Sequence, residues 1–414
     1  MRFLHTSDWH LGQTLHSFER VYEHQCFLDW LLQTLVAERI DALLIAGDVY
    51  DNANPSAASQ KQLYRFLRQA RSAVPHLNIV IIAGNHDSPG RLEAPGPLLE
   101  EHEVHLVGNV LRNEAGAIDL ERLVLPLKDR EGSVAAWCLA VPFLRPGDVP
   151  RIDGAADPYA EGIALLYRQA LNLALAKRRP GQAIVALGHC HMTGGAQSAD
   201  SERRIIIGGS EALSASMFGP EVAYAALGHL HLAQVVGKQP HLRYSGSPLP
   251  MSFSEIPYTN QVLRFDLDGE SAVDITPLPV PRTVDLMRIP TTPGPLEDVL
   301  AALQALPARC GAHPPYLEVR VRLDAPEPGL RARVEAALEG RHARLARIDT
   351  SLPHRAGAGE GEEADALSLD QLDSLRPDDI FRRLYRQKFD CDAPDDQLSA
   401  FTELMTAAGI GPAA

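Results

Sequence analysis

The chain has 414 residues, 45% of them hydrophobic and 22% charged, with a formal net charge of −14. That is ordinary for a globular protein and long enough for two or three domains with a large buried core. No apolar stretch approaches the ~18 to 20 residues of a membrane span, and the acidic balance argues against a protein that merely coats nucleic acid, though not against a nuclease whose cations or partner supply the positive field.

The N-terminus "MRFLHTSDWHLG" meets His5 and Asp8 too early for a signal peptide, so the cytoplasm is the expected compartment. "RFLHTS" reads as a first strand. Residues 19–38 carry Tyr22, Phe27, Leu28, Leu31, Leu32 and Leu35 at spacings that predict a helix buried on one face. "ALLIAG" and "IVIIAG" read as strands buried on both faces, separated by a helix through Leu63, Phe66 and Leu67. "AIVALG", "AYAALG" and "QVLRFDLDG" are later strands, the last closing in a turn at Asp268-Gly269. Residues 1–280 therefore predict an α/β sandwich.

After the proline-rich "ITPLPVPRT", residues 281–354 predict a small α+β domain of β-α-β-α-β order. Its strands are "DLMRI", "YLEVRVRLD" and "ARLARID", and its helices span 296–306 and 330–339. Residues 355–374, rich in glycine, alanine and acid, read as a flexible acidic linker. Two short amphipathic helices follow at 377–389 and 394–406 within the C-terminal segment 375–414.

The strand ends share one chemistry. "FLHTSDWH" ends in Asp8 and His10, "ALLIAGD" in Asp48, "IVIIAGNHD" in Asn85 and His86, "AIVALGHCH" in His189, and "AYAALGHLH" in His229 and His231. Glycine usually precedes the polar group, where a missing side chain lets backbone and metal approach closely. Ligands of α/β sheets collect outside the carboxyl ends of strands. Any one of these histidines would be structural; their recurrence predicts a metal centre. The mixed nitrogen and oxygen donors suit Mn, Fe or Zn rather than Ca or Cu(I). They exceed what one ion can use, so two ions are expected, with Asp48 as the shared carboxylate. His86 is placed to donate a proton or a charged hydrogen bond to a phosphate or leaving oxygen. The five cysteines (Cys26, Cys138, Cys190, Cys310, Cys391) show no CxxC spacing, and Cys190 in "GHCHM" reads as a buried bystander.

"DWH", "GDVYD", "GNHD", "GH" and "GHLH" resemble, in order and spacing, the five blocks of the calcineurin-like metallophosphoesterases. The resemblance implies that one ion is held by Asp8, His10, Asp48 and His231. The other would be held by Asp48, Asn85, His189 and His229, with His86 catalytic; at "GHCH" it favours His189 over His191. The phosphoprotein phosphatases carry "GDxxDRG", whereas here Asn52 and Ala53 follow Asp51, and the arginine is missing.

"HTSDWHLGQTLH", "GDVYDNANPS", "GNHDSPGRL", "LGHLHLAQVVG" and "RYSGSPLPMSFSE" are similar to the SbcD nuclease subunits of bacterial SbcCD complexes. That similarity implies a nuclease of DNA duplex ends, hairpins and single strands, loaded with two divalent ions, Mn2+ expected. It implies a DNA-capping role for the small domain and an SbcC-type coiled-coil ATPase as partner, bound through the C-terminal helices by Phe381, Leu384, Tyr385, Phe401 and Leu404. The assembly expected is a homodimer within a heterotetramer. Archaeal and eukaryotic relatives often have histidine where this chain has Asp51, so Asp51 enters as a catalytic candidate of open role, polarising His86 or a metal water. His16, Arg20 and Arg91 follow the ligand blocks and are candidates for phosphate contact or for the solvated surface. A stand-alone phosphodiesterase for small nucleotides is the alternative reading, and a non-catalytic scaffold a third.

Overall fold

The computed structural model describes residues 1–99, 103–152, 154–196, 198, 212–308, 311–325 and 327–351, with 381–382, 384–386, 389, 391–394 and 397–401 of the C-terminal segment. In chain order the first half runs β1 (Arg2–Thr6), β2 (Thr14–Leu15), β3 (Phe18–Glu19), α1 (Val21–Ala37), β4 (Ala42–Ala46), α2 (Ala57–Ala73), β5 (Asn78–Ile82), α3 (Pro89–Glu93), α4 (Gly96–Leu99), β6 (Val104–Val107), β7 (Val124–Lys128) and β8 (Val134–Ala140). Then come α5 (Pro158–Lys177), β9 (Ala183–His189), β10 (Val222–Gly228), β11 (Gln234–Val235), β12 (Leu242–Tyr244), β13 (Gln261–Asp268), β14 (Ser271–Pro279), β15 (Leu286–Pro295), α6 (Leu296–Gln304), β16 (Tyr316–Arg322), α7 (Leu330–Ala337) and β17 (Arg344–Ser351).

Two six-stranded sheets lie face to face, ordered β14-β13-β1-β4-β5-β6 and β11-β12-β10-β9-β8-β7. In the first, β1, β4, β5 and β6 are parallel. In the second, β8, β9, β10 and β12 are parallel. Alternation along each strand divides the core. Phe3, Ala42, Leu44, Val80 and Ile82 pack inward against Ala136, Cys138, Val185 and Ala225 of the facing sheet. Leu4, Leu43, Ile45, Ile79 and Ile81 pack outward against Phe27, Leu31, Leu63 and Phe66 of α1 and α2. Both faces of these strands are buried, which is why they read as unbroken apolar runs. Local chemistry starts the helices: Ser56 accepts the Ser59 N–H at 3.1 Å ahead of α2, and Asp157 accepts those of Tyr159 and Ala160 ahead of α5, with Pro158 in the first turn.

The turn at Asp268-Gly269 does not close the sandwich, as the sequence suggested. It joins β13 to β14, and Gln261 pairs with Pro279 at the far end of that hairpin. Much of the proline-rich stretch is thus an edge strand, where missing N–H groups cost no ladder bonds.

The strands β15-β16-β17 form a separate parallel sheet. Leu317, Val319 and Val321 of β16 meet Val299, Leu303, Val334 and Ala337 of α6 and α7. This unit docks on the sandwich through Leu15, Phe253, Val284, Leu286 and Tyr316. Beside them the Arg20 guanidinium, 1% exposed, pairs with Glu23 at 2.7 Å, and Tyr316 donates its hydroxyl to Glu23 at 2.9 Å.

The acidic linker 355–374 lies outside the described residues, as does much of both C-terminal helices. Of the latter, the Phe381 ring stacks on Phe401 at 4.4 Å, and Tyr385 meets Phe389 at 4.5 Å. Three of the rings expected to face a partner are therefore in contact with neighbouring rings, while Leu384 stays 58% exposed.

Candidate metal centre

The carboxyl ends of β1, β4 and β5 point to the same place as those of β9 and β10, and the candidate ligands follow them. The strand-end loops run alongside one another: the Asp8 N–H donates to the Gly47 carbonyl at 3.0 Å, and that of His10 to the Asp48 carbonyl at 3.0 Å. Asp8, His10, Asp48 and His229 have φ of 54, 47, 48 and 102°. Aspartate and histidine tolerate this region better than most residues but still at a cost, and such clusters mark sites where geometry takes precedence over relaxation.

The glycines at these ends make room for neighbouring ligands. A Cβ on Gly84 would collide with Asp48, and one on Gly228 with the Ala46 carbonyl oxygen and, at 2.9 Å, with His189 Nδ1. The close approach anticipated for the metal is, in the described structure, an approach of one strand end to the next.

Asp48 lies at the middle of the cluster and is 2% exposed. Its Oδ2 is 3.3 Å from His189 Nε2 and 3.7 Å from His10 Nε2. Asn85 Oδ1 stands 3.0 Å from His189 Nε2 and 3.1 Å from His229 Nδ1. Asp8 accepts the His229 N–H at 3.0 Å and the Ser7 hydroxyl at 2.6 Å. Ligand atoms of Asp8, His10 and His231 lie within 4.8 Å of one another, as do those of Asp8, Asp48 and His189, and of His10, Asp48 and His86. His189, not His191, is the imidazole brought to Asp48. Its Nδ1 donates to the Ala46 carbonyl at 2.8 Å, which leaves the Nε2 lone pair facing the cluster.

These residues fit divalent cations. The Nε2 atoms of His10 and His229 are buried without a hydrogen-bond partner, a state costing ~1–3 kcal/mol per group that coordination would relieve. Burial opposes ionisation of Asp48, yet the imidazoles of His189, His10 and His86 hold its carboxyl well below the usual range. His189 would be pushed down by burial, but the Asp48 charge and hydrogen bond raise it to about 9. An array that attracts protons this strongly without a cation is one that a cation can replace them in.

His86 is tethered by Nδ1, which donates to the Asp51 carbonyl at 2.7 Å, and its ring lies 4.8 Å from that of His10. The Asp51 carboxylate turns instead to His10 Nδ1, 3.6 Å away. Arg20 takes neither role expected of it: buried against Glu23 and the Pro250 carbonyl, it reaches neither the surface nor a phosphate. His16 stacks on Phe253 at 5.7 Å, and Arg91 is exposed. Cys190 packs its sulfur 3.7 Å from that of Met192.

Sequence reasoning passed over two carboxylates. Asp87 accepts the N–H groups of Val49, Tyr50 and Gly84 at 3.1, 2.9 and 2.8 Å, and so ties the loop after β4 to the loop after β5. Burial, then the Asp48 charge, push its carboxyl up to about 6. Glu255 reaches His231 Nδ1 at 2.9 Å. The signal for Asp87 was its place in "GNHD"; Glu255, distant in sequence, closes "RYSGSPLPMSFSE" with nothing local to give it a role.

Residues 1–233 match the family described as calcineurin-like phosphoesterase, and residues 282–389 match the type 5 capsule protein repressor C-terminal domain, SbcD_C. The chain is 42% identical over 363 residues to the SbcD subunit of the SbcCD nuclease from Rhodobacter capsulatus, covering 86% of this chain and 89% of that one. It is 31% identical over 398 residues to the SbcD subunit from Escherichia coli K12, covering 94% of each. With the SbcD subunit of Bacillus subtilis it shares 36% identity over 279 residues, 66% of this chain and 68% of the other.

Proposed function

The chain belongs to the SbcD nuclease subunits of the calcineurin-like phosphoesterases, metal-dependent nucleases, and from that premise we propose a two-ion hydrolysis of DNA phosphodiesters. The observation that supports it best is the convergence of carboxylate, amide and imidazole donors from both sheets on the buried Asp48. Asp8, His10, Asp48 and His231 would hold one ion, and Asp48, Asn85, His189 and His229 the other, with Mn2+ the metal expected. When bound, the ions supply charge neutralisation at the phosphate and acidify water to a nucleophile.

The chain's own residues do the rest. His86, anchored at Nδ1 by the Asp51 carbonyl, presents its other nitrogen to the phosphate or the leaving oxygen. The Asp51 carboxylate orients His10 rather than touching substrate. Asp87 holds the two central loops in register.

The activities assigned are exonuclease on duplex ends and endonuclease on hairpins and single strands, in DNA repair, recombination and replication in the cytoplasm. A coiled-coil ATPase of SbcC type, as the relatives' names imply, is the partner, and the expected assembly is a homodimer within a heterotetramer. The sandwich (1–280) performs the chemistry, the small domain (281–354) caps the DNA, the linker (355–374) gives reach, and the C-terminal helices (375–414) hold the ATPase. Such a partner would supply the basic surface that a chain of net charge −14 lacks.

The test compares duplex ends, hairpins and single strands with cyclic dinucleotides in Mn2+, for the native chain and His86→Ala. DNA cleavage should dominate, and His86→Ala should lower it ~10²-fold or more at unchanged metal content. Preferential hydrolysis of the dinucleotides would favour a small-nucleotide phosphodiesterase instead.

A further inference from the structure

Glu255 is fully buried, at 0% exposure, in the short 3-10 turn Phe253–Glu255. Its Oε1 lies 2.9 Å from His231 Nδ1, and its Oε2 accepts the Met251 N–H at 2.7 Å. The first contact decides a tautomer: with Nδ1 carrying the proton toward a carboxylate, Nε2 is left as the lone-pair nitrogen of His231. The turn itself is held from two sides. Arg288 donates to the Phe253 carbonyl at 3.1 Å, and the Phe253 ring lies in the apolar cluster that docks the small unit. On the other side, the Ser247 N–H donates to the His231 carbonyl at 3.1 Å.

We propose that Glu255 is a positioning residue of the metal centre, its carboxylate fixing the ring orientation and tautomer in which His231 takes a divalent cation. The proposal rests on the reading of His231 as a ligand. Outer carboxylates of this kind also raise the basicity of the imidazole they hold. A carboxylate is required here because both partners donate. Glutamine offers one acceptor oxygen, so in Glu255→Gln one of the two N–H groups would face an NH2 group.

The experiment uses the full chain as Glu255→Gln, Glu255→Asp and His231→Ala, titrated with Mn2+ by electron paramagnetic resonance, with circular dichroism to confirm folding. Glu255→Gln should weaken one Mn2+ equivalent ~10–100-fold and leave the other, and Glu255→Asp should recover part of the loss. Two equivalents bound by Glu255→Gln with native affinity would overturn the proposal. His231→Ala separates this failure from failure of the site: if it also keeps both equivalents, His231 is no ligand. A second readout needs no Glu255 variant. In the ¹⁵N-histidine-labelled native chain, the resonance missing from His231→Ala should show the Nδ1-protonated tautomer, and an Nε2-protonated one would overturn the idea.

Discussion

His5 sits in β1 between the two sheets, with Nδ1 3.0 Å from the Tyr224 hydroxyl and Nε2 3.2 Å from the Leu227 carbonyl. A carbonyl only accepts, so the neutral ring donates from Nε2 and accepts from the tyrosine, and protonation would break that pairing. Burial lowers its pKa from 6.5 to about 3. The unfolded chain therefore takes up this proton first as pH falls, and His5 costs stability from pH 6.5 down to about 3, by roughly 1.4 kcal/mol per pH unit. In chelator, urea unfolding at pH 7 and pH 5 should show this loss, and His5→Gln, which can keep both hydrogen bonds, should flatten it. Equal pH dependence in the two proteins would rule out His5 as a source. The histidines also mark what a sequence can disclose. Those at the centre stood out because each closes a strand, whereas His5 looks like any polar residue within one. The burial of Arg20 was hidden for a similar reason: its partners at Glu23 and Pro250 come from a helix and a distant loop.

At the scale of elements, the strands that place the site were readable because burial on both faces leaves unbroken apolar runs such as "ALLIA" and "NIVII". The strands β7 and β14 were not, since "VLPLK" and "SAVDITPLP" lie at sheet edges that tolerate proline and polar residues. The ligand set was readable too, but the role of the glycines beside it was not, because that depends on contacts between strands. Gly228→Ala tests that role. Its Cβ would force β10 away from the end of β4 and press on His189, at a cost of ~1–3 kcal/mol and with weaker metal binding. Gly90→Ala, with open space at the new methyl, is the control. Denaturant midpoints and metal titrations of the two variants should diverge; matching results would show that the strand ends can separate freely.

Across the whole molecule, the candidate ligands come from both sheets: Asp8, His10, Asp48 and Asn85 from one, His189, His229 and His231 from the other. Cations held there join the two layers, and binding to the native state alone adds about 2.7 kcal/mol per site at a hundredfold excess over Kd. Adding Mn2+ to chelator-treated protein should thus raise the melting temperature, with His189→Ala showing a smaller rise. An unchanged melting temperature on loading would argue against coordination across the seam.

The docking of the small unit bears on where this chain can be divided. Its contacts put Leu15, Phe253, Leu286 and Tyr316 in one apolar cluster and make the Tyr316 hydroxyl a partner of Glu23. Proteolysis or truncation near residue 280 would leave Leu15 and Phe253 facing water and Glu23 short of a donor. The sandwich and the small unit are then a single cooperative block, separable on paper but not in the calorimeter. Scanning calorimetry of the intact chain should give one heat-absorption peak spanning both, while the fragment 1–280 melts earlier and self-associates through the uncovered patch.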